Sequence, residues 1–191
     1  MPVNSNAVGV AVTGAVYRGK PAATAPTGTA SALAPASWDE MGWISEDGIT
    51  RSMPGAGDAE VIKGWQNGAT VRVIRTPSDE NPTFSFVMLE TNKATVEATF
   101  GVTLTQTATE GSYVINTNVA RAREPWAIDV IDGAELSRYY VGLGEVIEVG
   151  DITSSDSEMS MYELTITVYP SADGTLYREF TNDAAADDLV S

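Results

Sequence analysis

Alternating apolar and polar residues predict β-strands along most of the chain. The clearest pattern lies in residues 161–169, whose apolar face comprises Tyr162, Leu164, Ile166 and Val168 and whose polar face comprises Met161, Glu163, Thr165 and Thr167. Because successive side chains of a strand point to opposite sides, this period of two predicts a sheet with one solvated face. Comparable segments, rich in Val, Ile, Thr, Tyr and Phe, lie at 71–75, 84–89, 113–116, 127–131, 139–149 and 176–180.

One segment, residues 91–101, predicts an α-helix instead. Thr91 or Asn92 can cap the first turn, Val96 and Phe100 lie four residues apart on one side, and Gly101 can adopt the left-handed conformation that ends a helix. A helix this short is not stable alone, so we expect Val96 and Phe100 to pack on the sheet. The fold class is therefore mainly β, a β-sandwich or barrel with one short α-helix.

Three segments with superficial likeness to binding motifs are better explained as turns or bulges. Gly142 and Gly144 lie within a strand pattern rather than before a helix, which favours a bulge over a dinucleotide site. Residues 151–158 lack the glycine and the terminal glutamate of a calcium loop, so we expect a solvated hairpin connection. Asn67–Gly68 predicts a two-residue type I′ turn.

Two segments lack any strand or helix pattern. Residues 19–37 consist mainly of Gly, Pro, Ala, Thr and Ser, and we expect a mobile arm because so little apolar surface offsets the entropy of ordering. Residues 183–191 predict a flexible acidic tail. The rest of residues 1–191 is expected to form a single domain around one core.

The segment 38–50, WDEMGWISEDGIT, follows this arm directly. Trp38 and Trp43 are large apolar side chains, and the sequence from Ser45 to Gly48 supplies a short acceptor, two charges and a glycine able to take positive φ. Large aromatics beside a mobile arm are typical of interfaces. We therefore predict that this segment binds a neighbouring protein.

The amino-acid composition excludes several common catalytic mechanisms. The chain has no histidine and no cysteine, so Ser–His and Cys–His mechanisms, thiolate metal sites and disulfides are excluded. No pair of the 26 acidic residues stands out as an acid–base couple. We predict no enzyme activity, no cofactor and no metal.

The charge is uneven along the chain. Residues 1–124 contain 12 acids and 9 bases, whereas residues 125–191 contain 14 acids and 2 bases, which together give the net charge of −15. Wrapping a nucleic-acid backbone requires Lys and Arg to displace condensed counterions, so ordinary DNA binding is excluded. No apolar run is long enough to span a membrane and the N-terminus has no signal-peptide pattern, so a cytoplasmic protein is expected.

Several blocks of the chain resemble one protein family in the same order. They are WDEMGWISEDGIT with the Gly/Pro/Thr-rich stretch before it, IKGWQNG at 62–68, TFSFVMLETN and the helix after it at 83–100, and YELTITVYPSADG at 162–174. Together they cover most of the chain and resemble major tail tube proteins of long-tailed, siphovirus-type bacteriophages, especially those that infect actinobacteria.

The resemblance implies a structural virion protein of the phage tail, assembled in the host cytoplasm. It implies hexameric rings that stack into a hollow tube around a tape measure protein, between distal tail proteins and a tail terminator, with DNA passing through the lumen without specific binding. The predicted contacts between rings are Trp38, Trp43, Ile44, Glu46, Asp47 and Ile49. If the strand at 161–169 lines the lumen, Glu163, Thr165 and Thr167 form its exposed polar face; alternatively the acids serve solubility on the outside.

Two other functions remain open at the level of sequence. One is another virion component built on a related fold, such as a tail terminator or a capsid decoration protein, although the long arm favours a repeating tube. A β-sandwich carbohydrate-binding module would also explain the strands and tryptophans.

Overall fold

The computed structural model describes residues 11–76, 78, 80–106, 110–115, 121–157 and 159–182. The strands are β1 (Thr13–Gly19), β2 (Trp38–Glu40), β3 (Ile44–Ser52), β4 (Ala59–Lys63), β5 (Thr70–Arg75), β6 (Thr83–Met88), β7 (Thr105–Gln106), β8 (Gly111–Ser112), β9 (Glu124–Asp132), β10 (Glu135–Val149), β11 (Tyr162–Val168) and β12 (Tyr177–Thr181), with helix α1 (Lys93–Phe100). The tail at 183–191 and Asn116 of the strand predicted at 113–116 lie outside the described residues.

The main sheet is antiparallel and contains eight strands. Its hydrogen-bonded order is β2-β1-β9-β10-β11-β6-β3, and β12 also pairs with β10. The long strand β10 accommodates β12 and β11 in succession on one edge, opposite Ser137–Val141 and Gly144–Val149 respectively. The prediction of a mainly β fold is confirmed.

The sheet curls until its two ends approach each other. A Cβ atom on Gly14 of β1 would lie 3.5 Å from Ile49 Cδ1 of β3. Within the described residues, however, no backbone pairing joins these two strands. The result is a barrel-like sheet with one unpaired seam between β1 and β3.

The hydrophobic core fills the inside of this curl. Trp126, Phe84, Met41, Ile128 and Leu164 are among its largest fully buried side chains. The apolar face predicted for β11 is buried as expected, since Tyr162, Leu164, Ile166 and Val168 are all at most 7 % exposed.

Helix α1 is confirmed together with both of its termini. Asn92 caps it, since its side-chain oxygen accepts a hydrogen bond from Thr95 N at 2.9 Å, and Gly101 ends it with φ 64°. Val96 is buried as predicted, and Phe100 packs against the core and stacks on Tyr113 with ring centroids 5.4 Å apart. The helix lies against β10 and β11.

Of three local predictions, the bulge in β10 is confirmed, whereas a short strand and the size of a turn are wrong. The Gly142–Gly144 segment is a bulge, because the register of β10 against β9 shifts between Val141 and Gly144. A strand at 113–115 is wrong, since β8 ends at Ser112. The two-residue turn at Asn67–Gly68 is also wrong in size: Gly64 N donates to Ala69 O at 2.8 Å, which leaves four residues in the loop.

Candidate assembly surfaces

Trp38 is buried within its own subunit, which corrects the prediction that it contacts a neighbouring ring. Only 4 % of its surface is exposed, and its ring meets Tyr140 edge-on with centroids 6.3 Å apart. The cause is the pairing of β2 with β1, which places Trp38 opposite Gly19 at the base of the arm. A side chain enclosed by its own chain offers no area to a partner.

The other predicted contact residues divide into an exposed and a half-buried set. Trp43 is 75 % exposed, and Glu46 and Asp47 are also exposed. Ile44 and Ile49 are half-buried and pack against the core. The exposed part of the predicted contact surface is therefore Trp43 with the two acids, and the two isoleucines connect this part of β3 to the core. Its contact with a neighbouring ring stays a prediction.

The acidic turn predicted at Ser45–Gly48 is a wide bulge inside β3. Ile44 pairs with Met88 and Ile49 with Phe86, so four residues on β3 lie opposite the single residue Val87 on β6. Gly48 adopts φ 71°, and Ser45 Oγ accepts a hydrogen bond from Asp47 N at 3.4 Å. The extra residues push Glu46 and Asp47 away from the sheet.

A cavity of about 440 Å³ lies at the seam between β1 and β3. Apolar groups of Val12, Trp43 and Ile49 line it together with the carboxylates Glu40, Glu46 and Glu90, and the described residues of its lining include no lysine or arginine. Glu90 is held in place because its Oε1 accepts a hydrogen bond from Trp43 N at 3.2 Å. We call this feature the seam cavity; it combines apolar walls with purely negative charge.

A second exposed element is the β4–β5 hairpin (residues 59–75). Every residue of β4 and β5 is exposed, and within the described residues the two strands pair only with each other. The exposed apolar side chains are Val61, Ile62, Trp65, Val71, Val73 and Ile74, among which Trp65 at the tip is 98 % exposed. Such a concentration of exposed apolar surface on one element is typical of an interaction site.

Sequence reasoning did not find this hairpin as a surface. The apolar residues of 59–75 have the composition of core strands, so only the structure shows that no sheet formed by the described part of the chain covers them. The sequence does contain one indication of this surface, namely Trp65 close to the predicted turn at Asn67–Gly68, because a tryptophan in a turn is not placed to pack in the core.

The residues predicted to face the lumen differ in exposure. Glu163 is exposed and Thr165 is half-buried, with its hydroxyl 2.9 Å from that of Ser85. Thr167 is only 8 % exposed, so its expected exposure is wrong. The reason is its place on an interior strand, flanked by Glu145 of β10 and Thr83 of β6. Lumen lining by this face stays a prediction.

The predicted arm is tied to the body at its two ends and in its middle. Lys20 N donates to Ser37 O at 2.9 Å at its base. Arg138 donates to Ser31 O at 2.6 Å and forms two hydrogen bonds of 2.7 Å to the Asp129 carboxylate. The hydrogen bond to Asp129 raises the pKa of the Arg138 guanidinium. The mobility of the arm in a free subunit stays a prediction.

The described residues contain no group of three or more Asp or Glu side chains placed to hold a metal ion. They also contain no helix that is long and apolar enough to cross a membrane.

Comparison with known proteins places the chain in a family. A family model described as phage tail tube protein matches residues 1–189, almost the whole chain. The chain belongs to the phage tail tube protein family. No curated protein matches it. As a tail tube protein it is a structural component of the virion tail, and the exposed hairpin and the seam cavity are candidate surfaces for its assembly with other tail components.

Proposed function

We propose that this chain polymerises as stacked hexameric rings into the tail tube of a siphovirus-type phage of actinobacteria. The observation that carries the proposal is the family match over residues 1–189. In this proposal the subunits assemble in the host cytoplasm around a tape measure protein, between distal tail proteins and a tail terminator. DNA leaves the virion through the lumen.

A tube requires interfaces that close a ring and a second set that propagates along the axis. Two features of the subunit support such interfaces. The end strands β2 and β3 of the main sheet each have one edge without a strand partner in the described residues, and strand addition by a neighbour satisfies such edges. The β4–β5 hairpin adds apolar surface outside the body.

The acidity of the chain suits a conduit for DNA. Six copies at −15 each carry −90 per ring. Two unit charges about 8 Å apart in water interact with roughly 0.5 kcal/mol, or about 0.2 kcal/mol after screening at physiological salt. Each such repulsion is below thermal energy, so an acidic wall keeps phosphates from adhering without trapping the DNA.

Negative-stain electron microscopy of the purified chain, concentrated at physiological salt, tests the proposal. Hollow tubes or stacked rings with sixfold symmetry are the expected result. If the pure chain stays monomeric, the same imaging is repeated after co-expression with the tape measure protein. Monomers in both preparations, or single rings that never stack, would count against a tube and favour a terminator.

A further inference from the structure

The β4–β5 hairpin and the seam cavity have complementary surfaces. The hairpin carries Lys63, Arg72 and Arg75 against Glu60, a net charge of +2 in a chain whose total is −15. The seam cavity has three carboxylates and no base in its lining. Basic hairpin and acidic cavity attract each other, and both also present apolar side chains that are stabilised by removal from water.

The volume of the seam cavity also suits the side chain at the tip of the hairpin. A cavity of about 440 Å³ lies within the range of roughly 300–1,000 Å³ that encloses small organic ligands, so it can hold an indole ring. The tip of the hairpin offers Trp65 on a four-residue loop in which Asn67 Oδ1 accepts a hydrogen bond from Ala69 N at 3.0 Å. Trp43 on the cavity wall can stack with the entering ring.

The two features lie at opposite ends of one strand. Ile44, Glu46 and Gly48 in the first half of β3 line the cavity, whereas Ser52 at its end leads into the hairpin. Nine residues of strand span at most about 30 Å. Trp65 is 98 % exposed, so it does not occupy the cavity of its own subunit. A contact of this kind between copies is head-to-tail, so it either closes a ring or propagates along an axis.

We propose that the hairpin of one copy inserts Trp65 into the seam cavity of a second copy. The occupant of the cavity is therefore another molecule of this chain, with Lys63 and Arg72 beside Glu46 and Glu90 of the recipient. This inference rests on the proposed polymerisation and specifies the surfaces that carry it.

Cysteine trapping tests the contact, because the natural chain has no cysteine. A Gln66→Cys chain, which keeps Trp65, is mixed with a Glu46→Cys chain at high concentration under mild oxidation. The expected product is the mixed disulfide dimer, at least about tenfold above a control mixture in which Asp156→Cys replaces Glu46→Cys. Adding Trp65→Ala to the Gln66→Cys chain is expected to reduce the yield to the control level, whereas Trp65→Phe retains most of it.

The outcomes separate this contact from the tube itself. Tubes seen by microscopy without the mixed disulfide overturn the hairpin contact and leave the tube function standing. The disulfide without tubes supports the contact and counts against polymerisation by this chain alone. A yield equal to the control overturns the contact in either case.

Discussion

At the scale of single residues, the ion pair between Arg138 and Asp129 is a polar contact buried inside the subunit. Both side chains are 7 % exposed, and they meet through two hydrogen bonds of 2.7 Å. A buried pair of this kind stabilises little compared with apolar residues, but removal of one partner leaves a buried charge uncompensated. The same arginine holds Ser31 O, so it also fixes the arm.

Replacing this arginine should therefore destabilise the subunit strongly. We expect Arg138→Leu to lower the free energy of unfolding by about 3–5 kcal/mol, measured by urea denaturation. The matched control is Arg178→Leu, because the Arg178–Asp173 pair is more than half exposed on both sides and is screened by solvent, so its removal should change the free energy of unfolding far less. Equal losses in the two variants would show that burial is not the cause.

The two tryptophans after the arm should respond differently to truncation. Trp38→Ala removes a buried ring and is expected to cost about 3–5 kcal/mol of stability. Trp43→Ala alters an exposed side chain and is expected to leave stability within about 0.5 kcal/mol while weakening assembly. Urea denaturation together with microscopy distinguishes them. A stable Trp38→Ala subunit that fails to assemble would contradict the burial of Trp38 within its own subunit.

Three tyrosines predict a loss of stability at alkaline pH. Burial raises the pKa of Tyr17, Tyr139 and Tyr140 above 10.0. The folded state thus favours the neutral phenol, so stability is full below about pH 10, where the unfolded chain titrates, and is lost as pH rises through the folded pKa. Urea denaturation at pH 8 and pH 11 should show the loss, and Tyr139→Phe should make it smaller; an unchanged pH dependence would exclude Tyr139 as a contributor.

At the scale of elements, the helix and most strands could be predicted because their signals are local. Asn92, Gly101 and the alternation in β11 depend on hydrogen bonding and side-chain direction within a few residues. The position of Trp38 could not be predicted in the same way, since the pairing of β2 with β1 decides which side it faces. The exposure of β4 and β5 likewise depends on the absence of a covering layer.

The β4–β5 hairpin should be dispensable for folding and required for assembly. Replacing residues 59–75 by a short Gly/Ser linker removes no strand of the main sheet, so the free energy of unfolding should change by no more than about 1 kcal/mol. Tubes should be absent from micrographs of this variant. The same linker in place of residues 153–157, which are all exposed, is the control and should leave assembly intact.

At the scale of the whole molecule, the outer face of β10 and β11 concentrates negative charge. Glu145 and Glu148 lie opposite Thr167 and Thr165 respectively, and Glu163 is exposed on the same face of β11. Cross-strand partners share a face of the sheet, so the three glutamates form one acidic strip. Arg123 offsets it in part by a hydrogen bond of 3.3 Å to Glu145.

If this strip lines the lumen, a label on Glu163 must lie inside the tube. Tubes of Glu163→Cys, reacted with a small maleimide–gold cluster, should show gold along the tube axis in projection, because six labels per ring would fill the channel. Wild-type tubes treated in the same way report non-specific adsorption, since the chain has no cysteine. Gold along the two outer walls would assign the acidic strip to the outside, where its negative charge would keep tubes apart in solution rather than DNA away from the wall.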